Sequence, residues 1–452
     1  MKPLKAGGAS SRPRALPPVA LVIGLGLATG LGIAQQPLLA AAAVVGVGLL
    51  VACLYEPALL VLGMFVSILF DRAGVTGAEV ANLPITASKL SVLGSLGAWA
   101  VYVAASRVRP VRWHPVLSAL VAVVATVAFG IAWSGSMKEG RFTLFGLGMM
   151  TVLVGLVYAV LADRSLQRLY RLLGAALIPV LVYSVAGAGG GVGEASRATG
   201  TMGDPNEWAT MILLLGPVIL GGLNHDQHWS ARPLRLSLLG LLPLAVLLSG
   251  SRASVFVGSL VGLACLYLLR ERRGELLLCG AVGAVVFPFV GGLEFTLSRL
   301  RSLIDNFQGG AAVPEQSFIE RMELLRQGRE LFLDNWLFGV GPGNFASATG
   351  FISETGKLRP AHNTYLEIAS EQGVVGLLVA GVFLLTVAMT LYSAHRDARR
   401  ARDRSRILGI VVGLCAVALM AATLGLLTFS MAYMVLGVAL AVAEQSRRAD
   451  VL

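Results

Sequence analysis

Charge is what this sequence has least of. Asp, Glu, Lys and Arg make up 13% of its 452 residues, whereas 56% are hydrophobic. That is too little polar surface to cover a soluble globule of this size, which excludes a water-soluble fold and leaves lipid as the solvent. Cysteine is scarce as well. Cys53, Cys265, Cys279 and Cys415 all lie inside apolar runs, so neither a disulfide framework nor metal-ligand spacing is present, and they read as small core residues. Internal repeats are missing, and the glycine-rich stretch 187–193 is the one low-complexity tract, read as a flexible loop.

What is abundant is apolar sequence in runs near 20 residues, the length that crosses roughly 30 Å of hydrocarbon at about 1.5 Å per helical residue. Barrel strands need only about 10 residues of alternating pattern, so these runs are helices. They begin near Pro17, Pro37, Pro57, Lys89, Pro115, Phe142, Leu169, Asn206, Pro233, Ala253, Glu275, Val374, Ile407 and Leu424. The expected fold is all-α, a polytopic transmembrane bundle of about 12 to 14 spans with one long loop domain that contains helices. The run from Pro57 is short, and the last two are nearly contiguous. Residues 1–294 form the N-terminal and central spans, 295–373 the loop with the candidate reactive segment, and 374–452 the C-terminal spans. A basic stretch precedes Pro17, as in a secretory signal. The apolar run there exceeds a usual signal core and leads straight into a second one, so an uncleaved first helix is expected.

Lysine and arginine placement sets the orientation. With the N-terminus inside, the clusters Arg107/Arg109/Arg112, Arg164/Arg168/Arg171, Arg232/Arg235, Arg270/Arg272/Arg273, Arg396 to Arg406 and Arg447/Arg448 all fall inside. The segments around 71–86, 134–141, 187–205, 249–252 and 293–373 then fall outside. The net charge of +11 is thus mostly a topology signal and argues against nucleic-acid binding. The run Arg396 to Arg406 reads as a lipid-facing cytoplasmic loop.

Three outside segments carry candidate chemistry. In SRATGTMGDPNEWAT, Arg197 and Gly200 precede a span that starts at Asp204-Pro205-Asn206. Asn206 is either a helix cap or an ordinary loop residue. In LLSGSRASVF, Arg252 lies between two apolar runs with no acidic residue within ten positions. It either snorkels or meets an anion from elsewhere, for which phosphate suits the forked guanidinium. In the long loop, Gln316 to Asp334 reads as an amphipathic helix with Phe318, Met322, Leu325 and Phe332 on one stripe. Arg321, Arg326 and Arg329 lie among its other residues, solvated or near lipid phosphates. The turn NWLFGVGPGNF that follows lacks the Lys-Ser/Thr of a nucleotide loop.

His362 then opens HNTYLEIASEQGVVG, at the start of a helix. A helix N-terminus disfavours positive charge, so the imidazole tends toward the neutral form that accepts a proton, and the helix end offers N–H groups to an anion. The alternative is a structural hydrogen-bonding histidine. Glu367 and Glu371, one turn apart, could orient or replace it. No second His or Cys lies in the outer segments, and His225/His228 falls on the inner side, so no metal site is expected.

The set R-x-x-G before a PN-initiated span (Arg197, Gly200, Pro205, Asn206), the SR step (Ser251, Arg252), R-M at Arg321, the turn FGVGPGNF, HN-T-Y-L-E (His362, Asn363, Tyr365, Glu367) and E-Q-G-V-V-G-L-L (from Glu371) resembles the O-antigen ligase superfamily over about residues 197–378. The resemblance implies glycan transfer without metal or other cofactor, on the periplasmic face of the inner membrane. The donor would be an undecaprenyl-diphosphate-linked glycan and the acceptor lipid A-core or another glycan. It makes Arg197 and Arg252 the diphosphate-binding pair and His362 the base that deprotonates the acceptor hydroxyl. Asn206, Arg321, Asn363, Tyr365, Glu367 and Glu371 are secondary candidates. Ligation to lipid A-core is the expected activity, with repeat-unit polymerisation as the alternative. A lipid-linked sugar transporter is the third reading, disfavoured because inverted repeats and mid-membrane charges are lacking.

Overall fold

The computed structural model describes residues 56–70, 78–80, 83–85, 87–106, 113–187, 197–289, 316–352 and 358–448. The runs expected from Pro17 and Pro37 lie outside these residues. Every expected run from Pro57 onward corresponds to a helix. In chain order these are α1 (Ala58–Leu69), α2 (Ala87–Ser106), α3 (Pro115–Gly130), α4 (Met137–Leu161), α5 (Leu166–Gly187), α6 (Pro205–Leu223), α7 (Ala231–Leu248), α8 (Arg252–Leu268) and α9 (Arg273–Phe289). After them come the loop helices α10 (Gln316–Asp334) and α11 (Phe345–Thr349), then α12 (Thr364–Asp397), α13 (Ala401–Met420) and α14 (Ser430–Arg448). A three-residue hairpin, Ala78–Val80 with Leu83–Ile85, supplies the strands of the described residues. The chain is an all-α multi-pass membrane bundle.

Among the described residues, six helices are long and apolar enough to cross a membrane: α3 with its 3₁₀ extension to Trp133, α4, α5, α6, α7 and α12. A seventh arises if α8 and α9 are one broken span, since they meet at 80°. The two crossings expected from Ala253 and Glu275 correspond to these two 17-residue helices. Three of the remaining bundle helices fall short for visible reasons. α1 has 12 residues, α13 opens on Arg402, Asp403, Arg404 and Arg406, and α14 closes on Glu444, Arg447 and Arg448.

Two further boundaries differ from the sequence expectation. The span expected from Val374 is the second half of α12, whose helix breaks at Gly373 (φ 64°, ψ −159°), a conformation glycine adopts without a Cβ clash. The run expected from Leu424 starts as a turn, because α14 begins only at Ser430. An apolar turn is stable there because its polar backbone finds a distant partner. The Thr364 hydroxyl donates to the Leu424 carbonyl (2.7 Å) and accepts from the Leu426 N–H (2.8 Å).

The centre of the bundle is α6, whose 18-residue apolar window is 89% buried against 17% for α12. It is buried because α13 approaches it backbone to backbone. A Cβ at Gly409 would lie 2.3 Å from the Pro217 carbonyl oxygen, and one at Gly413 would lie 2.5 Å from that of Leu214. Small residues at a crossing allow such contact, which drives helix association in lipid. The large exposed side chains on α8, α9 and the outer half of α12, such as Phe256, Leu277 and Leu385, are what a lipid-facing surface requires.

Contacts at the helix termini give the bundle two distinct ends. The 134–136 corner, the turn 249–251, the turn 421–426 and the start of α12 share one end. The α4–α5 corner, the start of α13 and the end of α14 share the other. Among the described residues, the expected outside segments near 134–136 and 249–252 thus lie apart from the expected inside ones at Arg164 and Arg402 to Arg406.

Candidate functional site

His362 sits immediately before the first cap of α12. Asn363 is that cap: its Oδ1 accepts from the N–H groups of Tyr365 (3.0 Å) and Leu366 (3.1 Å). One residue later, Thr364 is stapled to the α13–α14 turn through its hydroxyl and through its N–H to the Ala421 carbonyl (2.8 Å). Between Ala361, which is buried, and this double anchor, the backbone of His362 adopts φ 49°, the left-handed region. Histidine tolerates that region better than most residues but still at a cost, so the surroundings dictate the conformation.

The imidazole is partly buried, and burial is the main reason its pKa lies below the usual 6.5. The nearby guanidiniums of Arg321 and then Arg359 push the same way, while Asp204 and Glu320 oppose them. The ring is therefore neutral at pH 7 and able to accept a proton. These groups come from α10, from the approach to α12 and from the loop before α6, so three separate stretches of chain surround one titratable ring.

The secondary candidates separate into roles. Arg321 is exposed on α10 and acts on His362 through its field. Tyr365 donates its phenol to the Ala418 carbonyl (2.7 Å), tying α12 to α13. Glu367 faces the α13–α14 turn, where a Cβ at Gly425 would lie 3.4 Å from its Oε2. Glu371 is buried, and its two oxygens accept from the backbone N–H groups of Gly343 (2.7 Å) and Phe345 (2.9 Å). It shapes the glycine turn. That turn is also held by Asn344, whose Oδ1 accepts from the Ser136 N–H (2.8 Å) and whose amide donates to the Ser134 hydroxyl.

On α10, Met322 and Leu325 of the expected stripe are exposed, while Leu324 is buried on the neighbouring face and packs with Phe345 and Ala361. Gly328 lies on that neighbouring face, and a Cβ there would meet the Leu366 side chain at 2.6 Å.

On the neighbouring helices, Arg197 donates from Nε to the Ser249 carbonyl (2.8 Å), and its Nη2 lies 3.5 Å from Asn206 Oδ1. It clamps the loop before α6 to the α7–α8 turn. Asn206, read as either a helix cap or a loop residue, is not the cap of α6. Asp204 is, accepting from the N–H groups of Asn206 (2.7 Å) and Glu207 (3.0 Å), with Pro205 as first helical residue. Arg252 is the first residue of α8, capped by Ser251, whose hydroxyl accepts from the Ser254 N–H (3.3 Å). Arg197 and Arg252 both have interactions within the chain, which corrects the view of them as unpaired. The Ser254 hydroxyl reaches Met420 Sδ (3.9 Å), next to Ala421, the residue that binds Thr364. The Arg197, Arg252 and His362 segments therefore meet through the turns 249–251 and 421–426.

The residues the sequence did not single out are Asp204, Glu320 and Arg359. Arg359 pairs with Glu320 at 3.2 Å. Its place three positions before His362 was the available signal, whereas the approach of Asp204 and Glu320 is tertiary. Among the described residues, no three His, Cys, Asp or Glu side chains group as metal ligands would.

Residues 236–381 match the family model described as O-antigen ligase. The match runs from α7 into α12 and includes Arg252 and His362 but not Arg197. The chain is also similar to a protein of Alcanivorax borkumensis named "Probable peptidoglycan glycosyltransferase FtsW". The two are 25% identical over 302 residues, 61% of this chain and 73% of that protein.

Proposed function

We propose that this membrane protein, whose residues 236–381 match the O-antigen ligase family model, is a glycosyltransferase using an undecaprenyl-diphosphate-linked glycan as donor. The acceptor is a hydroxyl of lipid A-core on the periplasmic face of the inner membrane. The observation that carries this reading is a neutral-biased imidazole at the bundle end where the Arg197 and Arg252 segments converge. His362 takes the proton from the acceptor hydroxyl as its oxygen bonds to the anomeric carbon. The bond from that carbon to the diphosphate breaks, and the leaving group departs with the electron pair. Arg197 and Arg252, on helix-terminal turns that fix their positions, hold the charge that grows on it. Burial, Arg321 and Arg359 keep the ring neutral against the opposing fields of Asp204 and Glu320.

The likeness to a protein named as a peptidoglycan glycosyltransferase favours a second reading, in which the acceptor is another repeat unit and the product a polymer. A glycolipid profile of a gene-deletion strain separates the two. Loss of a ligase leaves bare lipid A-core with lipid-linked polymer accumulating, and loss of a polymerase leaves core capped by a single repeat. An unchanged profile of both glycolipids would reject both readings.

A further inference from the structure

The loop helix α10 has two apolar faces, and the rest of the protein covers one of them. Leu324 on that face packs with Phe345 and Ala361, and Gly328 lies against Leu366. Met322, Leu325 and Leu333 are exposed on the neighbouring face. Their spacings of 3 and 8 residues keep them in one line on a helix of about 3.6 residues per turn. Trp336 continues that line just past the end of α10 and is 56% exposed. Apolar side chains gathered into a row of this length mark a contact surface.

Charge is sorted around the same helix. Glu320, Glu323, Glu330 and Asp334 all fall on a third face. Arg326, at the border, is turned toward it by its pairs with Glu323 (2.6 Å) and Glu330 (2.7 Å). The exposed apolar row holds no carboxylate, and the charge it carries is the exposed Arg329, between Leu325 and Leu333. Carboxylates turned away from an apolar row that holds an arginine are the pattern of a helix lying in a lipid headgroup layer. There the arginine stem covers apolar surface and the guanidinium reaches phosphate.

The depth of one end of this row is fixed by two spans. The carbonyls of Trp336 and Leu337 accept from the N–H groups of Val374 (2.8 Å) and Val375 (3.3 Å), the first residues of the spanning half of α12. Phe338 packs on Trp133 and Phe129 at the His362 end of α3, with ring centroids 5.3 and 6.3 Å apart. Both spans face lipid, since the apolar window of α12 is 17% buried and that of α3 28%. Phe129 is itself 60% exposed. The turn 336–338 therefore lies where two lipid-facing spans leave the hydrocarbon, the level that tryptophan and its aromatic neighbours favour. Because α12 breaks at Gly373, its first turns and the α10 helix packed on them do not continue the line of the span.

We propose that α10 is an interfacial helix, with Met322, Leu325, Arg329 and Leu333 resting in the lipid headgroup layer at the His362 end of the bundle. The occupant is bilayer lipid and not a second protein, because the row runs into the lipid-facing surface of α3 and α12. Seating this face in the headgroups holds the other face, and with it Ala361 and His362, at a fixed height above the hydrocarbon. The inference rests on the fold and is independent of which transfer reaction the chain performs.

The test uses the full-length chain with its four cysteines removed and one of three replacements, Met322→Cys, Leu333→Cys or Glu330→Cys. Each is labelled with a nitrobenzoxadiazole fluorophore and placed in phosphatidylcholine nanodiscs. Quenching by a nitroxide on the lipid headgroup is compared with quenching by iodide in water. The labels at 322 and 333 should be quenched several-fold more by the lipid nitroxide than the label at 330, and less by iodide. If the label at 322 behaves like the one at 330 while 333 alone meets lipid, α10 stands upright with only its end in the membrane and the proposal is overturned. It is equally overturned if the label at 322 is shielded from both quenchers, because protein and not lipid then covers the row.

Discussion

The two ends of the bundle are built from different interactions. At the His362 end, side chains mostly bind backbone: Thr364 holds the 421–426 turn, Glu371 the glycine turn, Asn344 the Ser136 corner and Arg197 the Ser249 turn. At the other end, side chains mostly bind side chains of opposite charge. Examples are Arg164–Glu56, Arg406–Asp403, Arg448–Glu444 and the forked pair of Arg235 with Glu275 (2.9 and 3.0 Å). One end fixes the shape of its turns and leaves a titratable ring among them, and the other balances a dense set of arginines. Damage at the first end should therefore appear as lost chemistry or lost turn geometry, and damage at the second as changed ion dependence.

The largest effect is expected for His362→Ala. General-base help is typically worth about 10² to 10⁴ in rate, so the variant should lose at least about a hundredfold in transfer while remaining folded in the membrane. Transfer within a few-fold of wild type would remove the imidazole from the mechanism. The pH dependence sharpens the point. The folded pKa is depressed by burial and by Arg321 and Arg359, so the neutral ring and its activity persist below pH 6.5 and fail only at lower pH. Because the unfolded chain takes up this proton first as pH falls, the same group lowers stability through the acidic range and contributes nothing against folding above it. Replacing Arg359 with Gln should move the activity profile toward higher pH, since one of the depressing fields is gone.

A smaller, geometric effect is expected for Glu371→Gln. The carboxylate accepts from two backbone N–H groups at once, and an amide would turn one of its own donors toward one of them. Leaving a buried donor unsatisfied costs about 1–3 kcal/mol, so the variant should melt earlier and lose activity in proportion. If it melted like wild type yet transferred nothing, Glu371 would belong to the chemistry and the structural role assigned to it here would fail.

These residues also mark how far the sequence could be read. Helix existence was legible from hydropathy, and so was the division into two ends, because apolar length and arginine placement are local properties. The helix start beside His362 was legible because Pro360, two residues before it, is a local signal. The α13–α14 turn was hidden inside an apolar run because its backbone is satisfied by Thr364, some sixty residues earlier in the chain. The bundle-facing side of α10 was hidden for a related reason: Leu324 and Gly328 face inward because Phe345 and Leu366 lie there. Asp204 acts on His362 only once the fold brings the loop before α6 and the start of α12 to the same end of the bundle.

The smallest effect is expected on α10, which lies at the His362 end but pairs charge with charge in the manner of the other. Arg326 donates to Glu323 (2.6 and 3.0 Å) and Glu330 (2.7 Å), and its side chain is 57% exposed. The pairing holds the Glu323 carboxyl down at about 2, through the hydrogen bond from Arg326 and then that from Gln327. A depressed carboxylate supports folding above its unfolded pKa and loses that support as pH drops through the folded value. Here both partners are in solvent, where salt screens them and ordering the side chains offsets the attraction. Arg326→Ala should therefore leave transfer unchanged and shift the melting midpoint only at low ionic strength. A clear loss of transfer at physiological salt would mean that α10 contacts substrate through Arg326.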